Sequence, residues 1–199
     1  MCGIVGHIGC TPSARSREVV MGGLARLEYR GYDSAGLALS TPDGLKVIRA
    51  VGKLANLADE IEVQKPADAV AAIGHTRWAT HGRPTVANAH PHSSADGRFA
   101  LVHNGIIENA DALRAELRAD GVTFVSDTDT EVVVHLIAKM YEAGTAGQWV
   151  GSLAGVHAGE DAVRRLITAM RAVTERLQGT FTLLLVSADA PEAPKAPGA

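Results

Sequence analysis

Short apolar segments of strand length alternate along this chain with segments in which apolar residues recur at helical spacing. The strand-like segments cover residues 2–8, 69–74, 99–103 and 180–187, and two more flank the turn signal Thr41-Pro42-Asp43-Gly44. A further short strand is expected after the Asp120-Gly121 turn. Helical stripes cover residues 16–28, 53–62, 109–119, 130–143 and 160–178. Strands and helices mixed in this order, with a hairpin near the start, predict an α+β fold of packed sheet and helix layers.

The composition is that of a globular protein whose core needs no covalent cross-link. Hydrophobic residues make up 46% of the 199 residues, and the formal net charge of −3 argues against nucleic acid as a partner. The only cysteines are Cys2 and Cys10, and a bridge across so short a loop would add little stability. We see no signal peptide and no apolar run near the ~20 residues of a membrane span, which predicts a soluble cytoplasmic protein without a membrane partner.

Three segments depart from the alternating pattern. Residues 79–97 are rich in Gly, Pro, Asn and His, and they predict a polar functional loop outside the core. Residues 144–159 form a Gly-rich connector, and residues 189–199 form a tail rich in Pro and Ala. We therefore expect one domain over residues 1–188, followed by a disordered tail or linker over residues 189–199.

Cys2 is the first candidate for chemistry. Removal of Met1 would leave this residue with a free α-amine, whose usual pKa of about 8 allows it to act as a base for the neighbouring thiol. Two glycines follow, Gly3 and Gly6, and they permit close approach of a substrate to the backbone. The alternative is a small buried hydrophobic residue near a frayed terminus.

Asn104 and Gly105 form the second candidate. A side-chain amide and a backbone N–H at the end of a strand can both donate to one oxyanion and stabilise a tetrahedral intermediate. The alternative is an ordinary turn, because Asn-Gly is common in hairpins.

Arg77 and Asp129 are candidates for holding a substrate by its charges. A guanidinium at a strand end can bind a carboxylate through two parallel hydrogen bonds, and a surface salt bridge is the alternative for Arg77. Asp129 could pair with an ammonium group, although a helix that starts near Thr130 would also favour Asp or Thr as its cap.

Four histidines suggest a metal site only superficially. Neither the His75 and His81 pair nor the His90 and His92 pair has the spacing of a helical zinc motif, and no Cys pair or acidic run accompanies them. We expect no metal and no cofactor, and we expect these histidines to brace a loop through hydrogen bonds.

Taken together, the motifs resemble those of the class II glutamine amidotransferases, and within them the glutaminase domain of the glutamine–fructose-6-phosphate aminotransferases. The matching stretches follow the order of that family and cover most of residues 1–143. They are Cys2-Gly3-Ile4-Val5-Gly6, Leu27-Glu28-Tyr29-Arg30-Gly31-Tyr32-Asp33-Ser34-Ala35-Gly36, His75-Thr76-Arg77-Trp78-Ala79-Thr80-His81-Gly82, Asn88-Ala89-His90-Pro91-His92, His103-Asn104-Gly105-Ile106-Ile107-Glu108-Asn109 and Ser126-Asp127-Thr128-Asp129-Thr130-Glu131.

The resemblance implies a catalytic role for four residues. Cys2 attacks the side-chain amide of glutamine, forms a thioester and releases ammonia. Asn104 and Gly105 form the oxyanion hole, and the Gly105 carbonyl also helps to hold the substrate ammonium. Arg30 lies beside the nucleophile and helps to order its terminus.

The resemblance also implies a set of substrate-binding residues. Arg77, helped by Thr80, holds the α-carboxylate of glutamine, and Asp129 holds its α-ammonium. Trp78 belongs to a loop that closes over glutamine, with His81 beside it.

For the fold, the resemblance implies a four-layer αββα sandwich of the N-terminal nucleophile hydrolase type. In that family the domain continues past residues 180–187 with further strands, so we expect a sandwich without its C-terminal strands. Ammonia passes to fructose-6-phosphate in a separate sugar-phosphate isomerase domain, which makes glucosamine-6-phosphate for amino-sugar biosynthesis, and the full-length enzyme is expected to be a homo-oligomer. A glutamine-binding or regulatory module without turnover, and an amidotransferase with another acceptor, remain as alternatives.

Overall fold

The computed structural model describes residues 2–31, 33–78, 83–144 and 160–188. Seven strands and five α-helices occur in these ranges, with a 3₁₀ helix at Glu28–Arg30. The strands are β1 (Gly3–Ser13), β2 (Ser34–Thr41), β3 (Gly44–Val51), β4 (Ala69–Arg77), β5 (His92–Ser93), β6 (Phe99–Ile107) and β7 (Gly179–Ser187). The helices are α1 (Arg15–Leu27), α2 (Leu54–Gln64), α3 (Ala110–Ala119), α4 (Asp129–Glu142) and α5 (Glu160–Arg176).

The strands form two sheets that pack face to face between two layers of helices. The first sheet has the order β1-β4-β2-β3, and the second has the order β5-β6-β7, and neighbouring strands of the described residues pair antiparallel. Apolar side chains of both sheets meet in a central cluster that contains Ala38, Ile73 and Val102. The expected αββα sandwich is therefore confirmed.

The two outer layers have their own apolar cores. Helices α1 and α2 cover the first sheet, with Leu24 and Leu57 fully buried against it. Helix α4 lies on the second sheet between α3 and α5, and its residues 132–134 and 136–137 are all buried and apolar. Each such side chain contributes about 2 kcal/mol through removal of its surface from water. No helix within the described ranges is both long and apolar enough to cross a membrane.

Most expected elements are found within a few residues of their predicted limits, but three expectations are wrong. The segment after Asp120-Gly121 contains no strand between residues 122 and 128. The strand expected to end at residue 103 continues to Ile107, because it pairs with β7 along its full length. Residues 88–92 were expected outside the core, yet all five are buried.

Gly36 explains how so polar a segment can be buried. A Cβ atom at this position would lie 2.2 Å from the carbonyl oxygen of His90, so only glycine lets the segment rest directly on β2. The expected tail at 189–199 and nearly all of the connector at 144–159 lie outside the described residues, and their predicted roles stay predictions.

Candidate active site

A cavity of about 270 Å³ opens where the ends of the two sheets meet the start of α4. It brings together six residues that the sequence singled out from four separate segments. They are Cys2, Arg77, Trp78, Asn104, Gly105 and Asp129.

Strand pairing places Cys2 at this cavity. Strand β1 runs antiparallel to β4 with Gly3 opposite Thr76, so the residue before Gly3 lies beside the end of β4. The Cys2 Sγ atom accepts a hydrogen bond from the backbone N–H of Trp78 at 3.3 Å, and it lies 3.7 Å from the carbonyl oxygen of the same residue. A Cβ at Gly3 would lie 2.8 Å from Thr76 Oγ1, which explains glycine directly after the cysteine.

Asn104 and Gly105 face Cys2 from inside a strand and not from the turn or strand end that the sequence suggested. The Asn104 Nδ2 atom donates to the Cys2 carbonyl oxygen at 3.2 Å, and an amide nitrogen keeps a second hydrogen for another acceptor. Gly105 has φ +124°, and a Cβ there would lie 2.0 Å from the carbonyl oxygen of Thr180. Both the backbone angle and the neighbouring strand therefore require glycine next to Asn104.

Arg77 is the last residue of β4, as predicted, and it lines the cavity with only 5% of its surface exposed. Its backbone is fixed by pairing with Ser34 on β2 and by a hydrogen bond from the Asp33 N–H to its carbonyl oxygen at 3.0 Å. The backbone of Arg77 is therefore fixed at the cavity, and a guanidinium there can bind a carboxylate through two parallel hydrogen bonds.

Asp129 places a carboxylate at the cavity. Its Oδ2 atom accepts a hydrogen bond from the Ile107 N–H at 3.0 Å, and its Oδ1 atom lies 3.5 Å from His103 Nδ1. Burial opposes ionisation of this carboxyl, but the hydrogen bonds from His103 and from backbone N–H groups outweigh it and lower its pKa below 3.8. Asp129 is therefore a carboxylate at neutral pH.

Thr128, and not Asp129, caps α4. The Thr128 Oγ1 atom accepts from the Glu131 N–H, so the alternative assignment of Asp129 as the helix cap is wrong. The preceding residues are held from both sides. Arg114 donates to the carbonyl oxygens of Ser126 and Thr128 at 3.0 and 2.6 Å, while Glu131 accepts from the Val125 and Ser126 N–H groups at 2.9 and 2.8 Å.

The Glu131 carboxylate should raise the free energy of unfolding at neutral pH. Its side chain is 3% exposed; burial opposes its ionisation, but hydrogen bonds from His135, Ser126 and Val125 lower its pKa to about 2 from the usual 4.5. Because the folded-state pKa is lowered, this stabilisation is complete above pH 4.5 and is lost as pH falls towards 2. We expect Glu131→Gln to lower the free energy of unfolding by about 3 kcal/mol near neutral pH, since the new amide would face donors with a donor.

Urea unfolding at neutral pH and near pH 3 would measure this effect for Glu131→Gln and for Glu62→Gln. Glu62 is exposed on α2 and makes the matched control, because the same charge is removed. We expect the loss for Glu131→Gln to shrink by roughly half at the lower pH, and Glu62→Gln to change stability by less than about 0.5 kcal/mol. Equal losses of unfolding free energy in Glu131→Gln and Glu62→Gln would contradict a stabilising role for the buried Glu131 carboxylate.

The buried histidines form a connected cluster between the two sheets and α4. His75 stacks on His90 with ring centroids 4.3 Å apart, and His90 meets His92 edge to face at 5.0 Å. His90 Nε2 lies 2.7 Å from Thr130 Oγ1, and His92 Nε2 lies 3.0 Å from Thr128 Oγ1. These contacts agree with the expectation that His75, His90 and His92 brace a loop through hydrogen bonds. Across the described part of the chain, no group of three or more His, Cys, Asp or Glu side chains is placed to hold a metal ion.

Trp78 and Arg30 differ in their relation to the cavity. Trp78 is 55% exposed and lines the cavity, and a Cβ at Gly31 would lie 2.7 Å from the Trp78 Cβ. Arg30 directly precedes Gly31 at the end of the 3₁₀ helix, and it is not among the residues that line the cavity. Thr80 and His81 lie outside the described residues.

Sequence reasoning missed the structural residues Glu131 and Arg114. A signal for the first was present, because Thr128-Asp129-Thr130-Glu131 has the spacing of a helix capping box. No local pattern pointed to Arg114, whose partners lie on the loop before the next helix.

A family profile described as "Glutamine amidotransferase domain" matches residues 58–160. The glutamine–fructose-6-phosphate aminotransferase (isomerizing) of Mycolicibacterium paratuberculosis is 52% identical over 196 residues, and the match covers 96% of this chain and 28% of the relative. The protein of the same name from Streptomyces coelicolor is 50% identical over 192 residues, with the same coverage. The chain thus spans about 28% of the length of these relatives.

Two solved structures share the fold. One is described as the allosteric regulatory enzyme of purine biosynthesis, with a TM-score of 0.70 at 24% identity, covering 93% of this chain and 35% of that chain. The other is the glutamine phosphoribosylpyrophosphate amidotransferase of Bacillus subtilis, with a TM-score of 0.64 at 26% identity, covering 94% of this chain and 35% of that chain.

Proposed function

Because the chain belongs to the family of glutamine amidotransferase domains, we propose that it hydrolyses L-glutamine to glutamate and ammonia, with Cys2 as the nucleophile. The observation that carries this proposal is the shared cavity. One wall holds the Cys2 thiol with the Asn104 amide beside it, and the other walls include the buried guanidinium of Arg77 and the carboxylate of Asp129. These groups can bind the α-carboxylate and the α-ammonium of an amino acid and attack its side chain.

The proposed reaction begins with removal of Met1, which frees the Cys2 α-amine. The amine takes the thiol proton, and the Sγ atom attacks the side-chain carbonyl carbon of glutamine. Asn104 Nδ2 and the Gly105 N–H donate to the resulting oxyanion. When the tetrahedral intermediate collapses, the C–N bond breaks and the leaving nitrogen takes the proton, so ammonia departs and a thioester remains. Water then attacks the thioester, which releases glutamate and restores the thiol.

Both charged groups of glutamine are on its α-carbon, at the end of the molecule away from the reacting side-chain carbon, and separate residues would hold them. Arg77, assisted by Thr80, binds the α-carboxylate, and Asp129 with the Gly105 carbonyl binds the α-ammonium. The lowered pKa of Asp129 supports this role, because the carboxyl group is ionised at neutral pH, where the α-ammonium of glutamine is also charged.

The remaining roles concern closure and order at the rim of the cavity. Trp78, whose backbone already contacts Cys2, belongs to a segment that closes over glutamine, with His81 beside it. Arg30 helps to order the N-terminus from the turn that packs on Trp78.

The fate of the ammonia follows from the names of the relatives and is part of the proposal. In a protein of their full length, the ammonia would pass to fructose-6-phosphate and give glucosamine-6-phosphate for amino-sugar biosynthesis. The acceptor site would lie in a sugar-phosphate isomerase domain outside this chain. A cytoplasmic location and a homo-oligomeric full-length enzyme stay predictions of the same kind.

A glutamine-derived electrophile tests whether Cys2 attacks a glutamine analogue that is bound in the cavity. 6-Diazo-5-oxo-L-norleucine presents a reactive carbon near the position of the glutamine amide and loses N₂ when a thiolate attacks it. We expect one adduct per chain by intact mass spectrometry, on a protein whose mass also shows loss of Met1. Excess glutamine should slow the labelling, because both compounds occupy the same cavity.

Cys10 provides the matched control, since it is the other cysteine and is exposed. We expect Cys10→Ser to be labelled like the wild type and Cys2→Ser to remain unlabelled. Labelling that persists in Cys2→Ser, or that glutamine does not slow, would argue against the proposed site. Labelling without any glutamate release would leave a glutamine-binding module without turnover.

A further inference from the structure

His75 lies directly behind the amide that faces Cys2. The side chain is 1% exposed and projects from β4 towards β6, where its Nε2 atom is 2.9 Å from Asn104 Oδ1 and 3.1 Å from the His103 carbonyl oxygen. Its other face stacks on His90. It does not line the cavity, so it can act on the reaction only through its neighbours.

The two contacts fix which nitrogen of His75 carries hydrogen. A backbone carbonyl oxygen can only accept a hydrogen bond, so Nε2 must be the N–H donor and it is shared between two acceptors. The Nδ1 atom is buried and has no hydrogen-bond partner among the residues that the structure describes. Burial lowers the pKa of His75 to about 4, despite the hydrogen bonds from its ring, so the ring is neutral and carries one hydrogen near neutral pH.

The same contact fixes the orientation of the Asn104 amide. With Oδ1 held by the His75 N–H, Nδ2 lies on the other side and donates to the Cys2 carbonyl oxygen at 3.2 Å. A reversed amide would set two donors against each other at His75 and two acceptors against each other at Cys2. Both ends of the contact therefore favour the orientation that presents N–H groups to the cavity.

We propose that His75 is a positioning residue that, as the neutral Nε2–H tautomer, locks the Asn104 carboxamide with its N–H groups towards Cys2 and the substrate oxygen. This inference rests on the proposed glutaminase activity, in which Asn104 stabilises the oxyanion. Loss of the lock would leave Cys2 and the charge-binding residues in place but misdirect one oxyanion donor. The chemical step should slow while binding of glutamine stays the same.

Steady-state glutamine hydrolysis by three substitutions tests the lock. His75→Phe keeps a ring for stacking on His90 but removes the donor, and we expect kcat to fall roughly 100-fold with KM changed by less than about threefold. His75→Gln places an amide N–H near the position of Nε2 and should recover kcat to within about fivefold of the wild type. His75→Asn keeps a polar amide too short to reach Asn104, so we again expect kcat to fall roughly 100-fold, and this variant provides the test if His75→Phe does not fold.

Two further measurements separate a lock from a general structural role. In an Asn104→Ala background, His75→Phe should cause less than about a twofold further loss, because its target is already absent. Alkylation of Cys2 by iodoacetamide needs no oxyanion donor, so its rate should stay within about twofold of the wild type in each His75 variant. Full additivity with Asn104→Ala, or an equal loss of alkylation and hydrolysis, would overturn the proposal.

The tautomer can be observed without any activity. In imidazole ¹⁵N spectra of the wild-type protein near neutral pH, we expect a protonated Nε2 and an unprotonated Nδ1 for His75. A protonated Nδ1 would overturn the lock even in an active glutaminase. If the wild-type chain releases no glutamate but shows the expected tautomer, the proposed function fails and the structural part of the inference stands.

Discussion

Replacing Cys2 with serine is expected to lower the rate of glutamate release from glutamine by at least roughly a thousandfold. A serine hydroxyl is a far weaker acid than a thiol, so an α-amine with a usual pKa of about 8 cannot produce useful amounts of the alkoxide. The Sγ atom also sits in a specific place, 3.3 Å from the Trp78 backbone nitrogen, and the Cys2 carbonyl oxygen accepts a hydrogen bond from Asn104. The measurement is glutamate production followed with glutamate dehydrogenase, beside intact mass to establish the N-terminal residue.

The control for this substitution is Cys10→Ser. Cys10 is exposed on β1, the strand that begins directly after Cys2, and it does not line the cavity. We therefore expect Cys10→Ser to keep the wild-type rate. Binding of glutamine to Cys2→Ser should persist, because the substitution leaves Arg77 and Asp129 unchanged, and calorimetry can measure it. A Cys2→Ser protein that released glutamate within tenfold of the wild-type rate would refute the nucleophile assignment.

The layered fold follows from short-range signals in the sequence. Helical spacing in residues 16–28 and 160–178, and the turn residues at 41–44, depend on neighbours within a few positions, and the structure confirms the corresponding elements. Two of the wrong expectations, on the end of β6 and on residues 88–92, involve partners far along the chain. Strand β6 continues through Gly105 because β7, more than seventy residues later, pairs with it there.

Burial of residues 88–92 has a similar long-range cause. The segment is polar by composition, but β2 offers a glycine at residue 36 and α4 offers the hydroxyls of Thr128 and Thr130 to its histidines. Hydrogen bonds to these groups offset the cost of burying imidazoles, and no local pattern in residues 79–97 reveals them.

For the candidate site, the sequence identified the residues that line the cavity better than the residues that hold them. Cys2, Arg77 and Asp129 bear charge or a nucleophile, and such groups at strand or helix ends attract notice by their chemistry. His75 and Glu131 are instead defined by what they touch across 29 and five positions of sequence, respectively. Positioning of this kind becomes visible only when distances and hydrogen-bond partners are known.

Replacing Gly105 with alanine is expected to damage both the fold and the proposed reaction. The added Cβ would lie 2.0 Å from the Thr180 carbonyl oxygen and 2.9 Å from the Phe181 Cα, and both are backbone atoms of the paired strand. Either β7 moves away from β6 or the backbone leaves φ +124°, and each response costs free energy. We expect the free energy of unfolding to fall by roughly 4 kcal/mol.

The same substitution should remove an oxyanion donor from molecules that remain folded. Relief of the collision with Thr180 and Phe181 requires the backbone around Gly105 to shift, and that shift would displace the Gly105 N–H from its place beside the Asn104 amide. We expect kcat for glutamine hydrolysis to fall by at least roughly 100-fold, measured at a temperature at which the variant is fully folded.

Gly44→Ala separates the cost of the backbone angle from the cost of the collision. Gly44 has a similar φ of +107°, but a Cβ there would meet nothing within 4 Å. Gly44→Ala should therefore lower the free energy of unfolding by only about 1 kcal/mol and leave kcat unchanged, because the strain of the backbone angle is its only cost. Urea unfolding and glutamine hydrolysis of both variants give the comparison. If Gly105→Ala lowered the free energy of unfolding and kcat no more than Gly44→Ala does, the proposed role of the close pairing between β7 and Gly105 would be wrong.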